Sequence, residues 1–247
     1  MVNIAGREIY NGGKTFIIAE AGINHNGDIT IAKRLVDIAK HAGCDAVKFQ
    51  TFKSDELPFP NITYEETKEL KRYCDHRRII FLSTPHSLSA IDFLEPLVPA
   101  YKIASPHIVN EYFVKRIKIK HKPIIASTGS IIHQNKKATE EEVNNFIRLV
   151  NHNDLILLYC ISEYPCYNFD IEEFEDFMSR YGQIPVGISC HEKGIDYTLM
   201  AVNSGACVVE KHITVDDDFE CPDKEVSLNP DELKELVKSI REIDYEL

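Results

Sequence analysis

Eight short apolar runs recur along the chain, and they constrain its fold more than any other feature. They are FIIAEAG (16–22), DAVKFQT (45–51), IIFLSTP (79–85), AYKIAS (100–105), PIIASTG (123–129), LILLYCIS (155–162), PVGISCH (185–191) and CVVEKHIT (207–214). Each has a continuous apolar body, the pattern of strands buried on both faces of a parallel sheet. Between them lie amphipathic stretches. ITIAKRLVDIAKHAG (29–43) repeats apolar residues at helical spacing and stops at Gly43. TYEETKELKRYCDH (63–76) starts with a threonine N-cap and a charged first turn. TEEEVNNFIRLVN (139–151) offers a capping box at Thr139 and Glu142, and NPDELKELVKSIREID (229–244) carries Pro230 at the start of the last helix. Eight strand–helix alternations in about 240 residues predict an α/β fold, a (β/α)8 TIM barrel, more naturally than a doubly wound open sheet. No linker or low-complexity segment interrupts them, so residues 1–247 are expected to form one barrel domain.

Composition narrows the function classes. The 39 acidic residues against 28 basic ones give a formal charge of −11, which argues against non-specific nucleic-acid binding. An anionic substrate would need a local basic pocket set against that field. The seven cysteines are odd in number and none are spaced as C-x-x-C, so a reduced, cytoplasmic protein is expected. The N-terminus lacks the apolar stretch of a signal peptide, and no run approaches the roughly 20 apolar residues of a membrane span.

A barrel of this kind carries its chemistry at the C-terminal ends of its strands. Here those ends are polar: Glu20, Lys48 with Gln50, Ser83-Thr84, Lys102 with Ser105, Ser127-Thr128, Ser162-Glu163, Ser189 with His191, and Glu210 with His212. Strand side chains alternate between faces, so Lys48 and Gln50, Ser189 and His191, and Glu210 and His212 each point the same way. His191 and His212 end the last two strands, which are neighbours. Two imidazoles there suit one divalent ion with open positions, such as Mn2+, Co2+, Fe2+ or Zn2+. Either histidine alone reads as a hydrogen-bonded structural residue. Lys48 and Lys102 lie inside buried strands, where a lysine is costly unless paired or bound to an anion. With Thr84, Ser105 and Ser127 they form a candidate phosphate or carboxylate cradle. Buried salt bridges, for example with Glu20, are one alternative, and a Schiff-base role for Lys102 is another. Asp223, in ECPDKEVS, is either a loop carboxylate over the mouth or a solvated turn residue, and composition alone favours the turn. The acidic run 216–220 reads as a solvated loop, and Cys190 should face outward.

Taken together, FIIAEAGINHNGD, AVKFQTFKSDEL, FLSTP, AYKIAS, PIIASTG, CISEYP, GISCH, VEKHIT and the later PD…S…P closely resemble the sialic acid synthase family, in order, from about residue 14 to residue 240. The resemblance implies a (β/α)8 barrel enzyme that condenses phosphoenolpyruvate with an open-chain aldose and releases phosphate. It implies His191 and His212 as metal ligands. Mn2+ is the expected ion, with Mg2+, Co2+, Fe2+ or Zn2+ able to fill the same role. It assigns Lys48, Thr84, Lys102, Ser105 and Ser127 to phosphoenolpyruvate. Glu20, Gln50, Tyr164, Ser189 and Asp223 would line the aldose and metal side, with Glu20 steering water or a proton.

The sequence also departs from the family pattern. STPF is here STPH, with His86; the usual GSGE or ASGD is ASPH, with Pro106 and His107; SDH is SCH, with Cys190; GPDH is CPDK, with Cys221 and Lys224. Ser162 stands where an asparagine is usual, and the segment between Leu57 and Tyr64 is short, removing an asparagine contact to phosphoenolpyruvate. The phosphate and metal halves are retained and the acceptor half is rewritten. The acceptor is therefore expected not to be N-acetylmannosamine, and His86 and His107 become candidates for binding it or for replacing lost phosphate contacts. The family's C-terminal antifreeze-like domain is expected to be absent. A separately encoded cap domain is then a candidate partner, and a homodimer through barrel faces is expected. A metal-dependent aldolase or lyase that does not use phosphoenolpyruvate, and a non-catalytic barrel subunit, are the competing readings.

Overall fold

The computed structural model describes residues 1–53, 61–151 and 154–246. The chain opens with a hairpin that the pattern of long apolar runs does not reveal. Strands β1 (Val2–Ile4) and β2 (Arg7–Ile9) pair antiparallel. Their two-residue turn places Ala5 at φ 49° and Gly6 at φ 85°. Two successive positive φ values match the twist of a tight hairpin.

The eight predicted runs form β3 (Phe16–Gly22), β4 (Ala46–Thr51), β5 (Ile80–Pro85), β6 (Tyr101–Ile103), β7 (Ile124–Ser127), β8 (Leu155–Cys160), β9 (Val186–Cys190) and β10 (Val208–His212). Their order is β5-β4-β3-β10-β9-β8-β7-β6, with parallel pairing along the ladder. First and last strands of the run, β3 and β10, are therefore neighbours. β5 and β6 lie alongside each other without a ladder and complete the ring. Among the described residues eight α-helices alternate with these strands: α1 (Ile29–Ala42), α2 (Tyr64–Arg77), α3 (Leu88–Leu94), α4 (Glu111–Lys118), α5 (Glu140–Val150), α6 (Ile171–Tyr181), α7 (Asp196–Asn203) and α8 (Pro230–Glu246). This is the (β/α)8 barrel that the alternation predicts. The capping boxes at Thr63–Glu66 and Thr139–Glu142 start α2 and α5, and Gly43, at φ 90°, ends α1. No helix among the described residues is long and apolar enough to cross a membrane.

The two-residue period of the strands divides the core in two. One set, including Ile17, Val47, Phe81, Leu157 and Val209, packs outward against helix residues such as Leu35, Val114, Phe146 and Phe174. Cys190 belongs to this layer, as the alternation predicts. The other set fills the barrel: Phe16, Ile18, Ala46, Leu82, Ala100, Ile125, Ile156, Leu158 and Val208, plugged from below by Val2, Ile4 and Ile9 of the hairpin. Two residues further along the same strands, the inward positions become Glu20, Lys48, Thr84, Lys102, Ser127, Cys160 and Glu210. The apolar floor thus ends abruptly at a polar mouth.

Candidate active site

The mouth holds a cavity of about 270 Å³, to which all eight barrel strands, or the residues just after them, contribute polar side chains. A bulge in β3 turns the chain at Gly22, which takes φ 54°. A Cβ there would lie 3.4 Å from Glu20 Oε1 and 3.5 Å from both Asp223 Oδ2 and Gln50 Nε2. Gly22 therefore marks a point where three functional candidates converge. Gly129 does the same on the far side: a Cβ would collide with Ser105 Oγ and Ser162 Oγ, and its N–H instead donates to Ser105 Oγ at 3.0 Å.

Four buried charges occupy the centre. Lys48 Nζ lies 2.8 Å from Glu20 Oε2 and 3.7 Å from Glu210 Oε2, and it donates to Thr84 Oγ1 at 3.0 Å. Lys102 Nζ donates to Ser127 Oγ at 2.7 Å and lies 3.5 Å from Glu210 Oε1, which also accepts from Ser189 Oγ at 3.1 Å. The salt-bridge alternative is thus realised alongside the cradle, since Glu20 does pair with Lys48. Two ammonium groups facing two carboxylates leave the cluster neutral, which is how four charges can be held away from water. Burial works against the Lys48 ammonium, but Glu20 and Glu210 outweigh it and hold its pKa above the ordinary value. Burial dominates at Lys102, whose pKa is lowered. The two carboxylates part company. Burial pushes Glu20 up to about 7, with Lys48 pulling back and Glu210 adding to the rise. At Glu210 the two lysines outweigh burial and draw it down to about 2. One carboxyl can exchange a proton near neutrality while the other stays ionised.

Across the ring, His191 just past β9 and His212 at the end of β10 stand opposite β5 and β6. Their ring centroids are 5.5 Å apart. His191 Nδ1 donates to the Ile161 carbonyl at 2.9 Å, which leaves Nε2 bare. Among the described residues His212 Nδ1 has no hydrogen-bond partner, and it lies 3.4 Å from Asp223 Oδ2. Burial holds both imidazoles neutral, with pKa values lowered to about 3, so their lone pairs are available at pH 7. Among the described residues no three His, Cys, Asp or Glu side chains converge tightly enough to hold an ion unaided. The donor set is two bare imidazole nitrogens beside a carboxylate, which fits a divalent ion with open positions. Tyr164 stacks on His191 at 3.9 Å between centroids and stands edge-on to His212 at 5.9 Å.

Of the residues singled out from sequence, Glu20, Lys48, Gln50, Thr84, His86, Lys102, Ser105, Ser127, Tyr164, Ser189, His191 and His212 line this cavity. Asp223 is half-buried over His212, with its pKa raised by burial, so the solvated-turn reading is corrected. His107 does not line the cavity. The 3-10 turn Ser105–His107 carries it away from the cavity lining and stacks it on Phe113 at 4.2 Å. The short segment between Leu57 and Tyr64 lies largely outside the described residues. The sequence pairs Glu210 only with His212, yet Glu210 is the carboxylate that both lysines face. Its signal was present in the alternation Glu210-x-His212. Cys160 and Ser162, also in the cavity, carried no functional assignment.

The NeuB family model matches residues 59–247. The N,N'-diacetyllegionaminic acid synthase of Legionella pneumophila is 38% identical over 93% of this chain and 72% of its own length. Human N-acetylneuraminate-9-phosphate synthase is 32% identical over 94% of this chain and 71% of its own. The crystal structure of N-acetylneuraminic acid synthetase from Leptospira borgpetersenii, in complex with citrate, superposes with a TM-score of 0.90 at 30% identity, covering 99% of this chain and 89% of that one. A matching family model, identity above 30% along nearly the whole chain and a shared barrel lead to one conclusion: this chain belongs to the NeuB family.

Proposed function

We propose that this chain condenses phosphoenolpyruvate with an open-chain aldose or a related aldehyde, releasing phosphate. The observation that carries the reading is a single small cavity with two buried lysines and their hydroxyl partners on one side and two neutral, buried imidazoles on the other. A small substrate with two anionic groups suits the first side, and a polarised carbonyl suits the second. In the reaction the enol carbon of phosphoenolpyruvate attacks the aldehyde carbon, and the aldehyde oxygen takes a proton to become a hydroxyl. The cation left at the phosphate-bearing carbon adds water, whose proton departs. The tetrahedral centre then breaks its C–O bond to phosphate as its hydroxyl proton leaves, and becomes the ketone of the product.

The residues divide this work. Lys48, Lys102, Thr84, Ser105 and Ser127 bind and orient phosphate and carboxylate. An incoming polyanion competes with Glu20 and Glu210 for the lysines, which raises the proton affinity of both carboxyls and favours a proton on Glu20. Glu20 can then hold or release that proton. Glu210 balances the lysines throughout. His191 and His212 would hold a divalent ion, with Mn2+ the expected one, which supplies Lewis acidity at the aldehyde oxygen. Gln50, Ser189, Tyr164 and Asp223 orient the acceptor. Pro106, Ser162 and Lys224, which depart from the family motifs, support an acceptor other than N-acetylmannosamine.

The test is phosphate release from phosphoenolpyruvate with Mn2+ against a panel of aldoses and acylated amino sugars, with a chelator control. Release that needs both acceptor and metal is expected. No release with any acceptor, despite bound metal, would sink the reading.

A further inference from the structure

We infer that His86 supplies a ring N–H to the phosphate of bound phosphoenolpyruvate. The inference rests on the condensation reading and adds a residue that the family motifs do not provide. His86 follows β5 directly, and β5 stands between β4, which carries Lys48, and β6, which carries Lys102. The imidazole therefore sits between the two cations around the ring and lines the same cavity. The histidine pair of β9 and β10 lies across the ring from it.

Its orientation is fixed. The backbone N–H of His86 donates to the Thr51 carbonyl at 3.0 Å. The ring lies flat on Phe52, with centroids 4.2 Å apart and planes 5° from parallel. Behind it His107 presents an edge at 5.6 Å, itself backed by Phe113. This wall makes His107 a support for His86. Yet His86 Nε2 is buried and has no hydrogen-bond partner among the described residues. A buried polar atom with no partner is costly, and a wall of rings that holds it in place points to a ligand as the partner. Burial and the nearby cations keep the ring neutral. A neutral imidazole beside two ammonium groups adds a donor for an anion without adding a third positive charge.

Isothermal titration calorimetry with phosphoenolpyruvate and Mn2+, without acceptor, tests this. His86→Phe keeps the stack on Phe52 and removes the N–H. Its dissociation constant for phosphoenolpyruvate should rise about tenfold or more, as for loss of a hydrogen bond to a charged group. His86→Gln, which keeps an N–H donor, should recover most of that loss. Pyruvate, which lacks the phosphate, should bind both variants as it binds the wild type. Equal phosphoenolpyruvate affinity in wild type and His86→Phe overturns the role of His86 and leaves the condensation reading standing. Equal weakening of pyruvate and phosphoenolpyruvate overturns the assignment to phosphate. Failure of the wild type to bind phosphoenolpyruvate overturns both.

Discussion

The floor and the mouth of this barrel are built from the same strands, two residues apart. Ile18 precedes Glu20, Ala46 precedes Lys48, Ala100 precedes Lys102, Ile125 precedes Ser127 and Val208 precedes Glu210. The floor is a closed apolar plug, sealed by the hairpin. The mouth packs four charges and three histidines into the next layer. The difference shows where the stability comes from. Apolar layers below and outside the sheet fix the strands, and the fixed strands hold charged groups where each would be unfavourable alone. Mouth substitutions should therefore disturb charge balance and chemistry, and the size of each effect should follow the buried charge removed.

The largest effect is expected at Glu210, which faces both lysines. Glu210→Gln leaves one carboxylate for two ammonium groups. Breaking a buried ion pair this way costs about 4 kcal/mol, measurable by urea unfolding. Turnover should fall at least about 1000-fold, because the anion cradle loses its counter-charge. Wild-type stability and turnover in this variant would mean that the lysines do not depend on Glu210, and the contrast between floor and mouth would fail.

Acid separates the two regions next, since only the mouth and its surroundings titrate. His86, His191 and His212 have pKa values lowered to about 3, and His25, in the loop after β3, to about 4, each chiefly by burial. In the unfolded chain they titrate near 6.5. Folding therefore excludes protons, and the stability is fully present above pH 6.5 and lost as pH falls toward 3–4. Glu20 runs the other way. Its folded pKa of about 7 exceeds the ordinary 4.5, so its contribution is present below 4.5 and fades as pH rises through 7. Four histidines outweigh one carboxyl. Between pH 6.5 and 5.5 unfolding free energy should drop by about 3 kcal/mol in total. A flat profile would mean that these rings take up protons within the folded barrel.

The strands were legible because burial on both faces leaves uninterrupted apolar runs. The inward polar set was legible too, because a period of two admits no other placement once a strand is known. The partner each group takes was only partly legible. A Lys48–Glu20 pair is one alternative the sequence offers, but its choice depends on the stagger of β3 against β4 and on the bulge at Gly22, neither of which is written in local spacing. His86 and His107 looked equivalent, each just past a strand. The 3-10 turn at Pro106 sends one into the second row and leaves the other at the cavity. The hairpin is not legible because three-residue strands carry too little pattern to stand above the background.

The smallest effect belongs to a residue on the wrong face. Lys211 lies between Glu210 and His212 but points outward, fully buried, and donates to the Glu192 carbonyl at 2.6 Å. Glu192 in turn accepts from the backbone N–H groups of Tyr197 and Thr198 at the start of α7. This lysine ties β10 to the segment just after His191 and balances no carboxylate in the mouth. Lys211→Met removes the donor but also relieves the cost of burying an ammonium, so stability should fall by only about 1 kcal/mol. Turnover should stay within about tenfold of wild type, since the four central charges are untouched. If turnover instead fell as far as in Glu210→Gln, the outer layer would be setting the separation of the two histidines, and the mouth could not be understood apart from the helices around it.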